Sequence, residues 1–193
     1  VAGRDTVVLA TKATIPNPSS RKYVVYDRVA VYDIAGVPKD RRFYLSLKKF
    51  KDSTRATIAE IQSARDVFAI RLAEMYLVAA EAAFKLGDNV TATARINTLR
   101  TRAALPGKTA SMQVTAAKIN LDFILDERAR ELAGEQLRWF DLKRTNTLET
   151  RIKAMNPDAS QYFQPFNTLR PIPQSQIDAV SNKDEFKQNP GYQ

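Results

Sequence analysis

Proline and glycine set the limits on this chain before any motif does. Between Pro38 and Pro106 there is no proline and one glycine, Gly87, and between Gly107 and Pro157 only Gly134 intervenes. Pro16, Pro18, Gly36 and Pro38 punctuate the opening, and Pro157, Pro165, Pro171, Pro173, Pro190 and Gly191 crowd the end. Proline removes a backbone donor and glycine loses the most entropy on ordering, so stretches free of both are where helices can run. The expectation is a mainly α chain with an irregular, short-strand segment over 1–62, a helical core over 63–145 and an irregular segment with one short helix over 146–193.

Apolar spacing fills in the middle. Phe68, Leu72, Met75, Ala79, Ala82 and Leu86 form one helical stripe, which predicts a helix over 63–86 with that stripe inward. Ala73, Tyr76, Ala80 and Ala83 widen the apolar surface, so both sides of the helix should pack. Gly87 supplies a left-handed stop, and Asp88 or Asn89 should cap a second helix with Val90, Ala94, Ile96 and Leu99 inward. Two helices joined by Leu-Gly-Asp make an antiparallel hairpin. A third helix is expected over 115–133, buried through Leu121, Ile124, Leu125, Ala129 and Leu132, and a fourth over 136–144. Pro173 suits the first position of a last one over 174–180. Residues 6–10, 23–26 and 43–47 are β-branched and aromatic, enough for a small hairpin or edge strands.

The chain of 193 residues contains no histidine and no cysteine. That excludes Ser-His-Asp and Cys-His catalysis, disulfides and ordinary Cys/His zinc sites. The net charge of +9 falls within residues 1–109, while 110–193 are balanced. No phosphate-binding loop, aromatic RNA-binding run or long basic block accompanies it, so a solvated basic face is the reading and nucleic acid is not expected as a partner. No apolar run is long enough for a transmembrane helix. The chain opens on Val1 without a leader-like pattern, which fits a processed chain or part of a longer one.

Glu127 and Glu131, at i,i+4, are the one carboxylate pair that invites a glycoside-hydrolase reading. Arg130, Glu135 and Arg138 alternate in sign around them, which favours ion pairing, and one helix face does not provide two walls of a cleft. Arg71, Glu74 and Glu81 in the first long helix read the same way. Asp27, Asp33 and Asp40 lack the spacing of a calcium loop. No metal site, cofactor or catalytic residue is expected. Tyr23, Tyr26, Tyr32 and Phe43 sit in non-helical surroundings, where exposed aromatic faces can stack on sugars, so these four are the candidate ligand-binding residues.

Ile70-Arg71-Leu72-Ala73-Glu74-Met75-Tyr76-Leu77-Val78-Ala79-Ala80-Glu81-Ala82 resembles the signature helix of the SusD/RagB family, as does Leu86-Gly87-Asp88 with Ile96-Asn97-Thr98-Leu99-Arg100-Thr101-Arg102-Ala103. Residues 124–145, from Ile124-Leu125-Asp126-Glu127-Arg128 through Leu137-Arg138-Trp139-Phe140-Asp141-Leu142, are the most specific part. Leu169-Arg170-Pro171-Ile172-Pro173 and Gln188-Asn189-Pro190-Gly191-Tyr192 complete the order over about 40–193. Gln136 departs from the pattern, many members having glycine there. The resemblance implies tetratricopeptide-like helix pairs and the C-terminal portion of a longer outer-membrane lipoprotein, lipidated on an N-terminal cysteine this chain lacks. It also implies a non-catalytic role at the cell surface: capturing an oligosaccharide, or in some members a peptide, as the lid of a SusC-like TonB-dependent transporter. It transfers no ligand-contacting residue.

Overall fold

The computed structural model describes residues 8–11, 13–33, 39–40, 47–57, 59–182 and 184–192. The chain divides into two compact units, 1–67 and 68–193. In the first, strands β1 (Val8–Ala10) and β2 (Val24–Tyr26) pair in parallel, Val8 opposite Val24 and Ala10 opposite Tyr26. The expectation was a small hairpin or edge strands; the two strands do pair, but in parallel. Residues 11–23 are long enough for the crossover a parallel pair requires, and a 3-10 turn at Pro18–Ser20 bends them back. Helix α1 (Arg28–Val31) follows. Buried Asp27 starts it, accepting bonds from the amides of Ala30 at 2.9 Å and Ile15 at 3.0 Å. This carboxylate, whose spacing to Asp33 and Asp40 does not suit a calcium loop, is a helix cap. Of the third strand expected at 43–47, residues 43–46 lie outside the described residues.

The second unit is helical: α2 (Leu72–Lys85), α3 (Asn89–Ala103), α4 (Thr109–Met112), α5 (Leu121–Glu131), α6 (Arg138–Arg144), α7 (Leu148–Met155), α8 (Pro157–Ser160) and α9 (Gln174–Ala179). α2 and α3 form the predicted hairpin. Gly87 turns the chain at φ 80° and the Asp88 side chain accepts from the Thr91 amide at 2.9 Å. Early α2 (Ala73, Leu77) packs with late α3 (Leu99), and late α2 (Ala80, Ala83) with early α3 (Ala92, Ile96), so the two run antiparallel. α5 closes this core through Ile124 and Leu132 contributes just beyond it. Leu125 faces a further cluster with Leu142, Leu148 and Phe163. Leu77, Ile96, Ile124 and Leu125 are fully buried, each stabilising by about 1.5–3 kcal/mol relative to exposure.

Five expectations change. The third helix, expected from 115, begins at Leu121, where the Asn120 side chain caps it after a 3-10 turn at Ala116–Lys118. α2 begins at Leu72, nine residues later than 63, because Arg71 is held extended (φ −132°, ψ 157°) while its guanidinium bonds Glu131 and Glu135. The stripe Leu72, Met75, Ala79, Ala82 and Leu86 is exposed; the opposite side meets α3 and α5. In α3, Ala92 takes the inward place expected of Val90 and Ala94, which are exposed. Helix α7, in a stretch expected to be irregular, buries Leu148 and Arg151.

Gln136 has φ 62°. A left-handed backbone is one that glycine adopts freely, which gives a physical reason for the glycine common at this point of the resembled pattern. The two C-terminal motifs clasp each other. Gln188 accepts from the Ile172 amide at 2.7 Å and donates to its carbonyl at 2.9 Å, and the Tyr192 hydroxyl donates to the Leu169 carbonyl at 2.7 Å. The Tyr192 and Phe166 rings meet edge to face at 5.2 Å. Gly191, at φ 89°, lies so close under Phe166 that a Cβ would fall 2.3 Å from the ring.

Candidate functional site

In α2 the polar side chains Glu74, Glu81 and Lys85 share one narrow strip, and opposite them stand arginines of α5 and α6. Both oxygens of Glu81 accept from Arg144, each at 2.6 Å, and Lys85 adds a contact at 2.9 Å. The Arg144 bonds hold the Glu81 carboxyl down to about 2, against the opposing effect of its burial. The same bonds raise Arg144. Arg128 is 3% exposed. Its Nε donates to Asp141 at 2.7 Å and its Nη2 lies 3.6 Å from Glu74. Arg71 donates to Glu135 and Glu131; burial works against its charge, and those bonds outweigh it and raise its pKa. Arg151 of α7 ties back to Asp122 and Asp126 of α5.

These ion pairs fix α5, α6 and α7 against one another and against α2. Between α2 and α6 they leave a cleft of about 410 Å³ lined by Glu74, Val78, Glu81, Arg128, Phe140 and Arg144, among others. Its charged lining is balanced in sign.

The carboxylate pair on α5 is fully engaged. Glu127 accepts from Arg100 at 3.0 and 2.7 Å and from Arg130 at 2.7 Å. Glu131 accepts from Arg71 at 2.7 Å and Arg102 at 2.6 Å. Bonds to arginines on the same and neighbouring helices are the arrangement of structural ion pairs, and the two carboxylates share one helix face instead of facing each other across a cleft. Among the described residues no group of three or more acidic, His or Cys side chains is placed to hold a metal ion.

Of the aromatic candidates, Tyr23 lines an open depression of about 600 Å³ together with Pro18, Ser19, Arg21, Lys22, Val24 and Val25. Tyr26 ends β2 and Tyr32 follows α1; both are half-buried and neither lines that depression. Phe43 lies outside the described residues. Sequence reasoning passed over Arg21 and Lys22, although their adjacency to Tyr23 was in plain view: two cations and an aromatic ring on one turn suit an oxygen-rich ligand.

The arginine–carboxylate core, the glycine-stopped hairpin and the C-terminal clasp coincide with the motifs quoted above, and the SusD family profile matches residues 29–192. The chain belongs to the SusD family. It is 30% identical over 126 residues to a SusD-like protein of Formosa agariphila, an alignment covering 63% of this chain and 24% of that protein. The chain thus spans about a quarter of the length of the curated relative it matches. No solved structure matches it. The mainly α fold of short loops and paired helices agrees with this membership.

Proposed function

We propose that this SusD-family chain is part of a nutrient-binding protein that captures oligosaccharides at the bacterial outer-membrane surface and delivers them to a SusC-like TonB-dependent transporter. The family match over 29–192 carries this reading. Attachment to the membrane would come from a lipid anchor of the full-length protein; among the described residues no helix is long and apolar enough to cross a membrane. Binding, not chemistry, is the role: uptake is driven by higher ligand affinity in the closed, transporter-docked state than in the open one. The engagement of Glu127 and Glu131 by arginines supports a non-catalytic role over a hydrolase.

Tyr23, with Arg21 and Lys22 beside it, is the proposed contact for sugar on this chain, the ring supplying a stacking face and the cations binding hydroxyl or carboxylate oxygens. Calorimetric titration of the full-length protein with an oligosaccharide panel tests the reading. The expected result is saturable binding to at least one glycan, weakened roughly three- to tenfold by Tyr23→Ala, the loss of one aromatic contact. Binding to peptides and to no glycan would assign the protein to the peptide-binding members. Glycan hydrolysis abolished by Glu127→Gln in a folded protein would establish the enzyme reading.

A further inference from the structure

No acidic side chain lines the depression that holds Tyr23. Its charged groups are Arg21 and Lys22, both exposed, and neither makes an ion pair or a side-chain hydrogen bond among the described residues. The helical unit treats its arginines differently: Arg71, Arg100, Arg128, Arg144 and Arg151 all face carboxylates. In the first unit the carboxylates are turned to the backbone instead. Asp27 accepts from the amides of Ile15 and Ala30, Asp52 from those of Thr54 and Ala64, and Glu60 from that of Ala56. Residues 1–67 also hold 13 basic against 7 acidic side chains, so the unit that carries the depression favours negative ligands.

The backbone fixes where these groups stand. Asn17 is left-handed at φ 50°, and Ser20 donates from its amide and its hydroxyl to the Asn17 carbonyl at 3.1 and 2.8 Å. The Arg21 amide closes on the Pro18 carbonyl at 3.3 Å, and Val24 enters the pairing of β2 with β1. Arg21, Lys22 and Tyr23 are thus held between a closed turn and a strand. Pro18, Val24 and Val25 add apolar surface beside the Tyr23 ring. A lone inorganic anion gains nothing from that surface, whereas a sugar ring presents a C–H face to it and its oxygen substituents to the cations.

We propose that this depression selects acidic sugars: a carboxylate or sulfate group is met by Arg21 and Lys22 while the ring of the same or the adjoining sugar rests on Tyr23. A guanidinium meets such an anion with two parallel N–H donors, and an ammonium adds a compact point charge. Stacking is the same for a charged sugar and its neutral counterpart, so the two cations set the difference in affinity between them. The proposal rests on the glycan reading given above and adds the charge of the sugar to it.

Calorimetric titration of the full-length protein compares two pairs of probes. One is an oligogalacturonate with its carboxyl-reduced counterpart, the other a sulfated galactan oligosaccharide with its desulfated form. In one pair or both, the charged member is expected to bind about tenfold tighter at about 20 mM salt and to lose most of that advantage at about 300 mM. A preference in the first pair alone assigns the carboxylate, and in the second alone the sulfate. The double variant Arg21→Gln, Lys22→Gln changes two exposed positions. It should lower affinity for the charged probe about tenfold and leave the neutral one within about twofold. Tyr23→Ala should weaken both members of a pair alike, so the ratio between them separates charge recognition from stacking. Equal affinities within both pairs, binding confined to neutral glycans, or a double variant that keeps the full preference would overturn the proposal and leave glycan capture intact. Binding to peptides and to no glycan would overturn both.

Discussion

Glu81 shows how much a single partner changes a residue's behaviour. It sits on the narrow polar strip of α2, and Arg144 and Lys85 keep it charged there. Its carboxyl is held down to about 2 from an ordinary 4.5. The unfolded carboxyl therefore takes up a proton at higher pH than the folded one. The stabilisation from this pair is complete above about pH 5 and drains away as pH falls from there towards 2. Asp52, bonded to Thr54 and Ala64, is likewise lowered to about 2, so the acid loss of the parent protein has more than one source. The informative quantity is the difference from Glu81→Gln. At pH 7 that variant is expected to be destabilised by about 1–2 kcal/mol, a modest loss because Arg144 can turn to solvent. The gap to the parent should shrink by about half or more by pH 3. Urea melts at pH 7, 5 and 3 read both, and a pH-independent gap would mean that packing, not charge, sets the cost.

At the scale of the helix, α2 distinguishes its two faces by what they touch and not by what they are made of. Leu77 is fully enclosed within the α2–α3 pair and Leu132, and removing its side chain leaves a cavity. Leu77→Ala is expected to cost about 2–5 kcal/mol, while Met75→Ala, on the open face, should change stability by less than about 0.5 kcal/mol. Denaturant midpoints of the two variants decide it; comparable losses would show that the outer face is covered in the isolated chain. The hairpin was legible because its signals are local: Gly87 for the turn, Asp88 for the cap and an apolar period on either side. The inward side of α2 was not, since both faces are apolar and the choice is made by α3 and α5. Arg71 delays the start of the expected helix through Glu131, sixty positions on, a pairing that no local spacing reveals. α7 went unread because eight residues with one buried leucine and one buried arginine carry little period.

On the scale of the whole molecule, the ion-paired face of α5 was easier to read from sequence than the surroundings of the aromatic candidates. The i,i+4 alternation around Glu127 and Glu131 announced ion pairs, and the structure has them. The four aromatic candidates could be placed in non-helical stretches but not sorted, since lining a depression depends on how a turn such as Pro18–Ser20 folds; Tyr23 lines one. The two units also differ in what holds them. Among the described residues all three hydrophobic clusters, together with the arginines that join α2 to α5, α6 and α7, are drawn from residues 68–193. The clasp of Gln188 and Tyr192 onto 169–172 lies there too. Among the described residues the first unit contributes a two-stranded pairing and a capped turn. A fragment comprising residues 68–193 is therefore expected to fold alone, with helical circular dichroism and one cooperative thermal transition. At the usual heat per residue its unfolding enthalpy should reach roughly 80–90 kcal/mol near 60 °C. Calorimetry of the fragment beside the 193-residue chain is the measurement. An enthalpy below about half that figure, or a broad melt without a peak, would mean that the helical unit needs residues 1–67 to hold its core together.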